Sequence, residues 1–413
     1  MQYGLIGEHL THSYSCDIHG AAADYAYELK EIRPEDLAAF LTERPFSAIN
    51  VTIPYKEAVI PYLDGISDRA REIGAVNTVV NRDGRLYGDN TDFLGLAALA
   101  QKAGISFCGK KVLILGTGGT SKTAMAVAKA DGASSVLRVS RKGGNGAITY
   151  EEATTHHTDT QIIINTTPVG MYPHTEDAPP IDVHAFPGLE GVLDAVYNPL
   201  CTKLIQEASA NGIPAMGGLY MLAAQGVYAS AIFRGIEADP ALIEQVYQTV
   251  LAAKQNIVLI GMPSSGKTTV GKRLSHITGK PLVDTDELIV ERIGCSIATY
   301  FAAHGEAAFR QIECEVIADI SKKSGLIIAT GGGAILNPDN VQALRQNGVT
   351  VFLDRPLEQL ITTESRPLSS DREALAALYE KRLPLYRAAA DRRVPAGGTV
   401  GAVAHAILKE LSL

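Results

Sequence analysis

The chain has 413 residues, 46% of them apolar, and 45 Asp and Glu against 37 Lys and Arg give a net charge of -8. That length exceeds one ordinary hydrophobic core and implies two or three domains, while an acidic balance without a basic run excludes a nucleic-acid backbone as the main partner. Five scattered cysteines (Cys16, Cys108, Cys201, Cys295, Cys314) form no C-x-x-C pair and no cluster with histidine, so they read as reduced thiols of a cytoplasmic protein.

The opening residues, MQYGLIGEHL, lack a basic segment followed by a long apolar one, so Tyr3 to Ile6 reads as a first strand and not as part of a signal peptide. Tyr25 to Leu29 and Ala48 to Ile53 read as two further strands, with a helical pattern over Glu35 to Thr42 between them. The loops hold the polar residues: His12, Ser13 and Ser15 after the first strand, then Asn50, Thr52 and Lys56 in NVTIPYKE. Pro54 closes the third strand and predicts Lys56 at the start of a helix, where the dipole opposes a cation. With an acid partner, a lysine so placed suits protonation of a developing oxyanion. Further on, Asp83-Gly84 between two short apolar runs predicts a β-hairpin, flanked by Asn77 and Asp92.

Val112 to Leu115 predicts a strand running into GTGGTS, with Gly116 and Gly118 as a G-x-G, Gly119 next and the small Ser121 in the third position. The helix that follows reaches about Lys129, Gly132 stops it, and Ser135 to Val139 completes a βαβ unit. Where an NAD site carries a carboxylate for the ribose diol, this chain has Ser140, Arg141 and Lys142, which favours the 2'-phosphate of NADP. The longest apolar stretch, Leu219 to Phe233, is broken by Gln225 and Gly226 and falls short of a bilayer span, so no membrane partner is expected.

HSYS at 12 to 15, NVTIPYKE at 50 to 57, GAVNT at 74 to 78, GDNTD at 88 to 92, NTTPVGM at 165 to 171, DAVYNP at 194 to 199 with Thr202, and GLYMLAAQ at 218 to 225 resemble the motifs of shikimate dehydrogenase. The likeness covers about residues 1 to 250; Cys16 stands where the family usually has proline. It implies a substrate domain over 1–100, with return helices at about 219–253, and a Rossmann NADP-binding domain over 101–218. NADPH would reduce 3-dehydroshikimate, with Lys56 and Asp92 handling the proton at the carbonyl. Substrate contacts would come from Ser13, Ser15, Thr52, Asn77, Tyr197 and Gln225, and cofactor contacts from Gly116, Gly118, Gly119, Ser140, Arg141, Lys142 and Gly218.

Asp239-Pro240 predicts a helix whose Leu242, Ile243, Val246, Tyr247, Val250 and Leu251 form one apolar stripe, and no Gly, Ser or Pro-rich linker follows it. The apolar run Ile257 to Ile260 then leads at once into G-x-x-x-x-G-K-T from Gly261 to Thr268 and into helix-forming residues, the context of a phosphate-binding loop. Around Ser264, Ser265, Gly266 and Thr269 the loop N-H groups and a helix N-terminus surround phosphate oxygens, Lys267 reaches the outer phosphates, and the Thr268 hydroxyl suits magnesium. Asp284 and Asp286, two residues apart at a strand end, can divide labour between magnesium and a substrate hydroxyl.

FRQIE (309–313), ATGGGAIL (329–336), SRPL (365–368) and LPLYR (383–387) join the loop in resembling shikimate kinase, over about residues 255 to 413, and imply a kinase domain at 254–413. The resemblance makes Asp286 the partner of the accepting hydroxyls, Thr268 and Asp284 the magnesium ligands, and Arg310 with Arg387 the clamp on the shikimate carboxylate. Gly331, Gly332 and Gly333 would form a backbone wall and Arg366 would lie on a lid over the transferring phosphoryl group. At the start of that lid Ile361, Thr362 and Thr363 replace an arginine the family often carries, so adenine contacts are left unassigned. The expected fold class is α/β throughout: an α/β substrate domain, a Rossmann domain, then a P-loop domain with a parallel sheet. The expected function is a two-enzyme chain of aromatic amino acid biosynthesis using NADPH and ATP with Mg2+ on small-molecule substrates. Competing readings keep the chemistry with quinate or another small polyol as substrate, or make one half a non-catalytic ligand sensor; the joint presence of Lys56 with Asp92, and of Lys267 with both aspartates, speaks against a dead half.

Overall fold

Among the described residues, apolar runs alternating with amphipathic helices build three sheets. The structure, a computed structural model, describes residues 1–10, 13–361 and 371–413. The expectations for His12 and for the lid, Arg366 included, therefore lie outside the described residues. The chain divides into two units, Met1–Leu251 and Ala252–Leu413. Among the described residues no helix is long and apolar enough to cross a membrane.

The first sheet contains β1 (Tyr3–Gly7), β2 (Tyr27–Glu31), β3 (Ala48–Val51), β4 (Gly65–Ile66), β5 (Thr78–Arg82) and β6 (Arg85–Asp89), in the order β2-β1-β3-β5-β6-β4. β1 runs parallel to both β2 and β3, whereas β5 is antiparallel to β3 and forms a hairpin with β6. The hairpin turns on Asp83 and Gly84, at φ 52° and 79°, the left-handed pair that a two-residue connection between twisted strands demands. Ile6, Ile49, Val51, Val79 and Leu86 bury one face of this sheet against Leu37, Phe40 and Leu41 of the helix Leu37–Glu43.

Two local expectations are corrected here. The second strand begins at Tyr27 and not at Tyr25, because the Tyr25 hydroxyl turns inward to the ring of His19 and the strand itself is largely exposed, giving little apolar signal. Lys56 does not open a helix. Residues 52 to 59 are successive turns, and the Lys56 carbonyl, which a helix would need for its own ladder, accepts the N-H of Val76 at 2.8 Å.

The second sheet contains β7 (Lys111–Leu115), β8 (Ser135–Val139), β9 (Ala147–Ile148), β10 (Ile162–Asn165), β11 (Gly191–Asp194) and β12 (Ala215–Met216). Its order, β9-β8-β7-β10-β11-β12 with every neighbour parallel, is the doubly wound arrangement whose crevice opens where β7 and β10 diverge. The helices Thr91–Lys102 and Leu219–Arg234 pack on each other, and Leu96, Leu99 and Met221 join the core of this sheet. Gly95 makes the approach possible: a Cβ there would stand 2.6 Å from the Met221 carbonyl oxygen. From the helix Pro240–Lys254, Ile243, Val246 and Val250 pack on Tyr14, Ile18, Leu219 and Val227, so the apolar stripe is spent inside the first unit.

The third sheet contains β13 (Asn256–Ile260), β14 (Leu282–Asp284), β15 (Ile327–Ala329), β16 (Gly348–Asp354) and β17 (Arg392–Pro395), all parallel, in the order β14-β15-β13-β16-β17. Successive residues of its central strand serve opposite cores. Val258 and Ile260 pack with Ile317, Leu375 and Tyr386, while Ile257 and Leu259 pack with Leu274, Val403 and Ile407.

Candidate active sites

In the first unit the polar loops meet at the carboxyl ends of β1 and β3. Asp92 lies in the first turn of the helix Thr91–Lys102, where the dipole favours a carboxylate, and Asn90 caps that helix by accepting the Phe93 N-H at 3.2 Å. Lys56 Nζ donates to Asp92 Oδ2 at 2.5 Å, and the two side chains are only 19% and 11% exposed. Beside the pair, Asn77 Oδ1 accepts the Thr91 N-H at 2.7 Å, and its Nδ2 donates to Thr91 Oγ1 at 3.0 Å and faces Gln225 Oε1 at 3.5 Å. Thr52 leaves β3 by donating its N-H to the Ile6 carbonyl at 3.0 Å. Ser13 Oγ donates to Ser15 Oγ at 3.0 Å, and between them the Tyr14 ring tilts against Tyr197 at 5.2 Å. Burial pushes the Tyr197 phenol up to about 12, so it stays a hydroxyl donor at neutral pH.

Behind this site runs a chain that sequence reasoning missed. His19 is 1% exposed, stacks on Tyr27 at 3.8 Å and shares a 2.6 Å hydrogen bond through Nδ1 with the Tyr25 hydroxyl. Burial holds its imidazole down to about 3, hence neutral. Tyr27 in turn donates to Asn50 Oδ1 at 2.7 Å, and Asn50 Nδ2 donates to Thr78 Oγ1 at 3.1 Å, next to Asn77. A single histidine in a short helix gives no sequence signal for such a role.

At the crevice of the second sheet, Gly116 has φ 112° and a Cβ there would stand 2.8 Å from Thr166 Oγ1, so the turn after β7 demands glycine twice over. Gly118 precedes the helix Gly119–Ala130, and Ser121 Oγ donates to the Gly118 carbonyl at 2.7 Å. The Gly116 N-H bonds the Val139 carbonyl at 2.8 Å, which sets Ser140 alongside the glycine turn, with Arg141 and Lys142 exposed after it. Gly218 closes against the carbonyl of Ala195. Asp194, fully buried, was not singled out from the sequence: it accepts from Asn165 Nδ2 at 3.0 Å, the Val196 N-H at 2.9 Å and Thr202 Oγ1 at 2.7 Å. Burial pushes its carboxyl up to about 6 against those three donors, and the network pins the loops after β10 and β11 together.

In the second unit the loop after β13 takes left-handed values at Ser264 (φ 65°) and Gly266 (φ 95°) and enters the helix Lys267–Thr278. Lys267 Nζ donates to the carbonyls of Gly261 at 2.8 Å and Met262 at 3.0 Å; Ser265 is buried and Thr269 exposed. Thr268 Oγ1 donates to Asp284 Oδ2 at 2.6 Å, and Asp284 Oδ1 accepts the Asp286 N-H at 3.0 Å. One hydroxyl and one carboxylate oxygen thus converge below the loop, a hard-oxygen donor pair that fits Mg2+ completed by phosphates.

The three glycines after β15 owe their presence to close neighbours and not to unusual backbone angles. A Cβ on Gly331 would lie 2.6 Å from Asp286 Oδ1 and 3.0 Å from Glu313 Oε1, one on Gly332 would lie 2.9 Å from the Pro263 ring, and one on Gly333 would collide with the Arg310 guanidinium. Arg310 Nη1 donates to Glu313 Oε2 at 2.7 Å. Burial raises the Glu313 carboxyl while the Arg310 charge opposes the rise.

Arg310 has a different partner from the one expected. Arg382, 4% exposed, donates through Nη1 to the Gly332 carbonyl at 2.8 Å, and the Tyr386 hydroxyl donates to the same oxygen at 2.6 Å. Burial pulls the Arg382 guanidinium down, and the charge of Arg310 adds to the effect. Arg387 is five residues further along the same helix, Arg372–Ala389, hence about 140° around it. It is exposed, on the side of Tyr379 and away from the glycines. Of the two arginines on this helix, the structure brings Arg382, and not Arg387, to the glycines beside Arg310.

Comparison with known proteins gives the same division. The family model for the shikimate dehydrogenase substrate binding domain matches residues 5–79, and that for shikimate kinase matches residues 263–412. Shikimate dehydrogenase (NADP(+)) of Clostridium beijerinckii is 36% identical over 262 residues, 59% of this chain and 96% of that protein. The enzyme of the same name from Geobacillus kaustophilus is 37% identical over 273 residues, covering 61% and 98%. Among solved structures, shikimate dehydrogenase 1 from Peptoclostridium difficile superposes with a TM-score of 0.55 at 35% identity, covering 60% of this chain and 98% of that one. Shikimate 5-dehydrogenase from Thermus thermophilus, solved with NADP(H) and shikimate, gives 0.54 at 30% identity, with coverage of 60% and 98%. The chain therefore belongs to the shikimate dehydrogenase family and carries a shikimate kinase domain in the same polypeptide.

Proposed function

We propose that the first unit reduces 3-dehydroshikimate to shikimate with NADPH and that the second transfers the terminal phosphoryl group of MgATP to the 3-hydroxyl of that shikimate. The observation that carries this reading is that each unit assembles its own reacting set: the Lys56–Asp92 pair in one, and the loop, Asp286 and Arg310 around three glycines in the other. We place the substrate domain at 1–100 with 219–253, the NADP domain at 101–218 and the kinase at 254–413. The five cysteines, scattered in sequence with no C-x-x-C pair, suit work in the cytoplasm.

NADPH supplies the hydride. Gly116, Gly118 and Gly119 allow backbone to approach its pyrophosphate, and Ser140, Arg141 and Lys142 oppose its 2'-phosphate. Lys56 holds the proton that passes to the carbonyl oxygen as charge develops there, and Asp92 keeps the ammonium aimed. Ser13 and Ser15 receive the substrate carboxylate, while Thr52, Asn77, Tyr197 and Gln225 fix its hydroxyls. In the kinase, Thr268 and Asp284 would hold Mg2+, which when bound would offset phosphate charge. Asp286 accepts the hydrogen of the attacking hydroxyl, and Arg310 with Arg382 holds the carboxylate.

The test is to incubate the full chain with 3-dehydroshikimate and NADPH, without and then with MgATP, and to identify products by mass. Shikimate is expected in the first case and shikimate 3-phosphate in the second; the appearance of neither ends the reading. The clamp proposed for Arg310 and Arg382 has its own check. Arg382→Ala should raise KM for shikimate in the kinase assay by about 10- to 100-fold, the loss of a charge-assisted contact, and Arg387→Ala should leave it within about twofold. The opposite ranking would return the role to Arg387.

A further inference from the structure

The carboxyl end of β16 borders the phosphate-binding loop. β16 pairs with β13 in register from Asn256↔Gly348 to Ile260↔Phe352, so the residues after Phe352 run beside the start of the loop, where a Cβ on Gly261 would stand 3.0 Å from the Leu353 carbonyl oxygen. A few residues later the chain touches the loop again, as Ser264 Oγ donates to the Ile361 carbonyl at 2.7 Å. Between these two contacts lies Arg355. Its Nη1 is 3.6 Å from the point where a Cβ would stand on Gly266, and its Nε is buried with no hydrogen-bond partner among the described residues. Among the described residues Arg355 forms no ion pair, and the adjacent Asp354 is held instead by Arg393, whose Nε donates to Oδ2 at 2.6 Å.

A half-buried guanidinium with an unmatched N-H is costly, and here it stands against a helix N-terminus, at the residue that precedes Lys267, both already positive. An anion in the loop resolves all three at once. We propose that Arg355 is a ligand of the nucleotide's phosphate chain, a second cation that approaches the loop from the Gly266 side while Lys267 lies over the Gly261 side. This rests on the reading of the loop as the ATP site. A planar guanidinium serves it better than an ammonium would, since it can offer two parallel donors to phosphate oxygens.

The experiment is calorimetric titration of the full chain with MgADP, together with steady-state kinase kinetics. Arg355→Ala should weaken MgADP by about 10- to 100-fold and raise KM for ATP in proportion. KM for shikimate should change by less than about twofold, and NADPH-dependent reduction should be unaltered. Arg355→Lys should recover part of the affinity. Unchanged MgADP affinity in a variant that melts at the wild-type temperature would overturn the proposal, as would an equal rise in both KM values. Should the alanine variant fail to fold, Arg355→Gln, which keeps most of the side chain and removes its charge, replaces it in the same titration. If the wild-type chain binds MgADP but phosphorylates no shikimate, the acceptor assignment fails and the arginine is still decided by the titration. If it binds no MgADP, both fail.

Discussion

Replacing Lys56 by alanine should lower turnover in the reduction of 3-dehydroshikimate by about 100-fold or more, while KM for that substrate changes by less than about threefold. The ammonium is 2.5 Å from Asp92 and largely withdrawn from solvent, so no water can take over its position with the same orientation. Alanine also leaves the Asp92 carboxylate without its cation next to the oxygen that becomes negative in the transition state, which adds repulsion to the missing proton. Stopped-flow oxidation of NADPH under saturating substrate measures the first number, and initial rates over a substrate series measure the second. A variant with normal turnover and poor affinity would make Lys56 a binding residue.

Lys267→Ala should lower phosphorylation of shikimate by about 1,000-fold or more and leave reduction within about twofold of wild type. Phosphoryl transfer offers the protein little covalent chemistry, so positioning and charge stabilisation carry nearly all the acceleration. The Nζ of Lys267 is the cation held within the loop itself, by the carbonyls of Gly261 and Met262. The same preparation serves both assays, one following NADPH and the other ADP release. Loss of both activities together would show that the first unit depends on the second. The packing of Ile243, Val246 and Val250 within the first unit is the reason to expect otherwise.

Much of this was legible from residues because the signals were local. A strand, a loop with fixed glycines and a helix follow one another at Gly116 and again at Gly261, and in both places the structure has that order. The hairpin at Asp83-Gly84 was legible for the same reason, since two left-handed residues in a row restrict the residue types. What was not legible depended on partners distant in sequence. Lys56 reads as a helix start until Val76, twenty residues on, claims its carbonyl. Arg382 and Arg387 are equally good arginines in sequence, and only the helix phase, set by the burial of Leu375 and Tyr386, decides which one faces Gly332. His19 acts through burial and a tyrosine partner, for which no short motif exists, and Asp194 lies in the motif DAVYNP, whose letters do not reveal that its carboxylate is buried among Asn165, Val196 and Thr202. Exposure had the same effect on β2, whose side chains after Tyr27 face solvent and whose limits therefore slipped by two residues.

The run Gly331 to Gly333 has a genetic consequence. Every single-base change in a glycine codon that alters the residue installs a Cβ or ends the chain, and here each such atom meets a different group: the acceptor carboxylates, the proline of the loop, or the clamp arginine. Missense drift at three neighbouring codons thus forces a neighbour to shift, and two of them act on one ion pair, since Glu313 beside Gly331 accepts from Arg310 beside Gly333. A compensating change at Arg310 would make room at Gly333 and leave Glu313, beside Gly331, without its cation, so these positions do not drift one at a time.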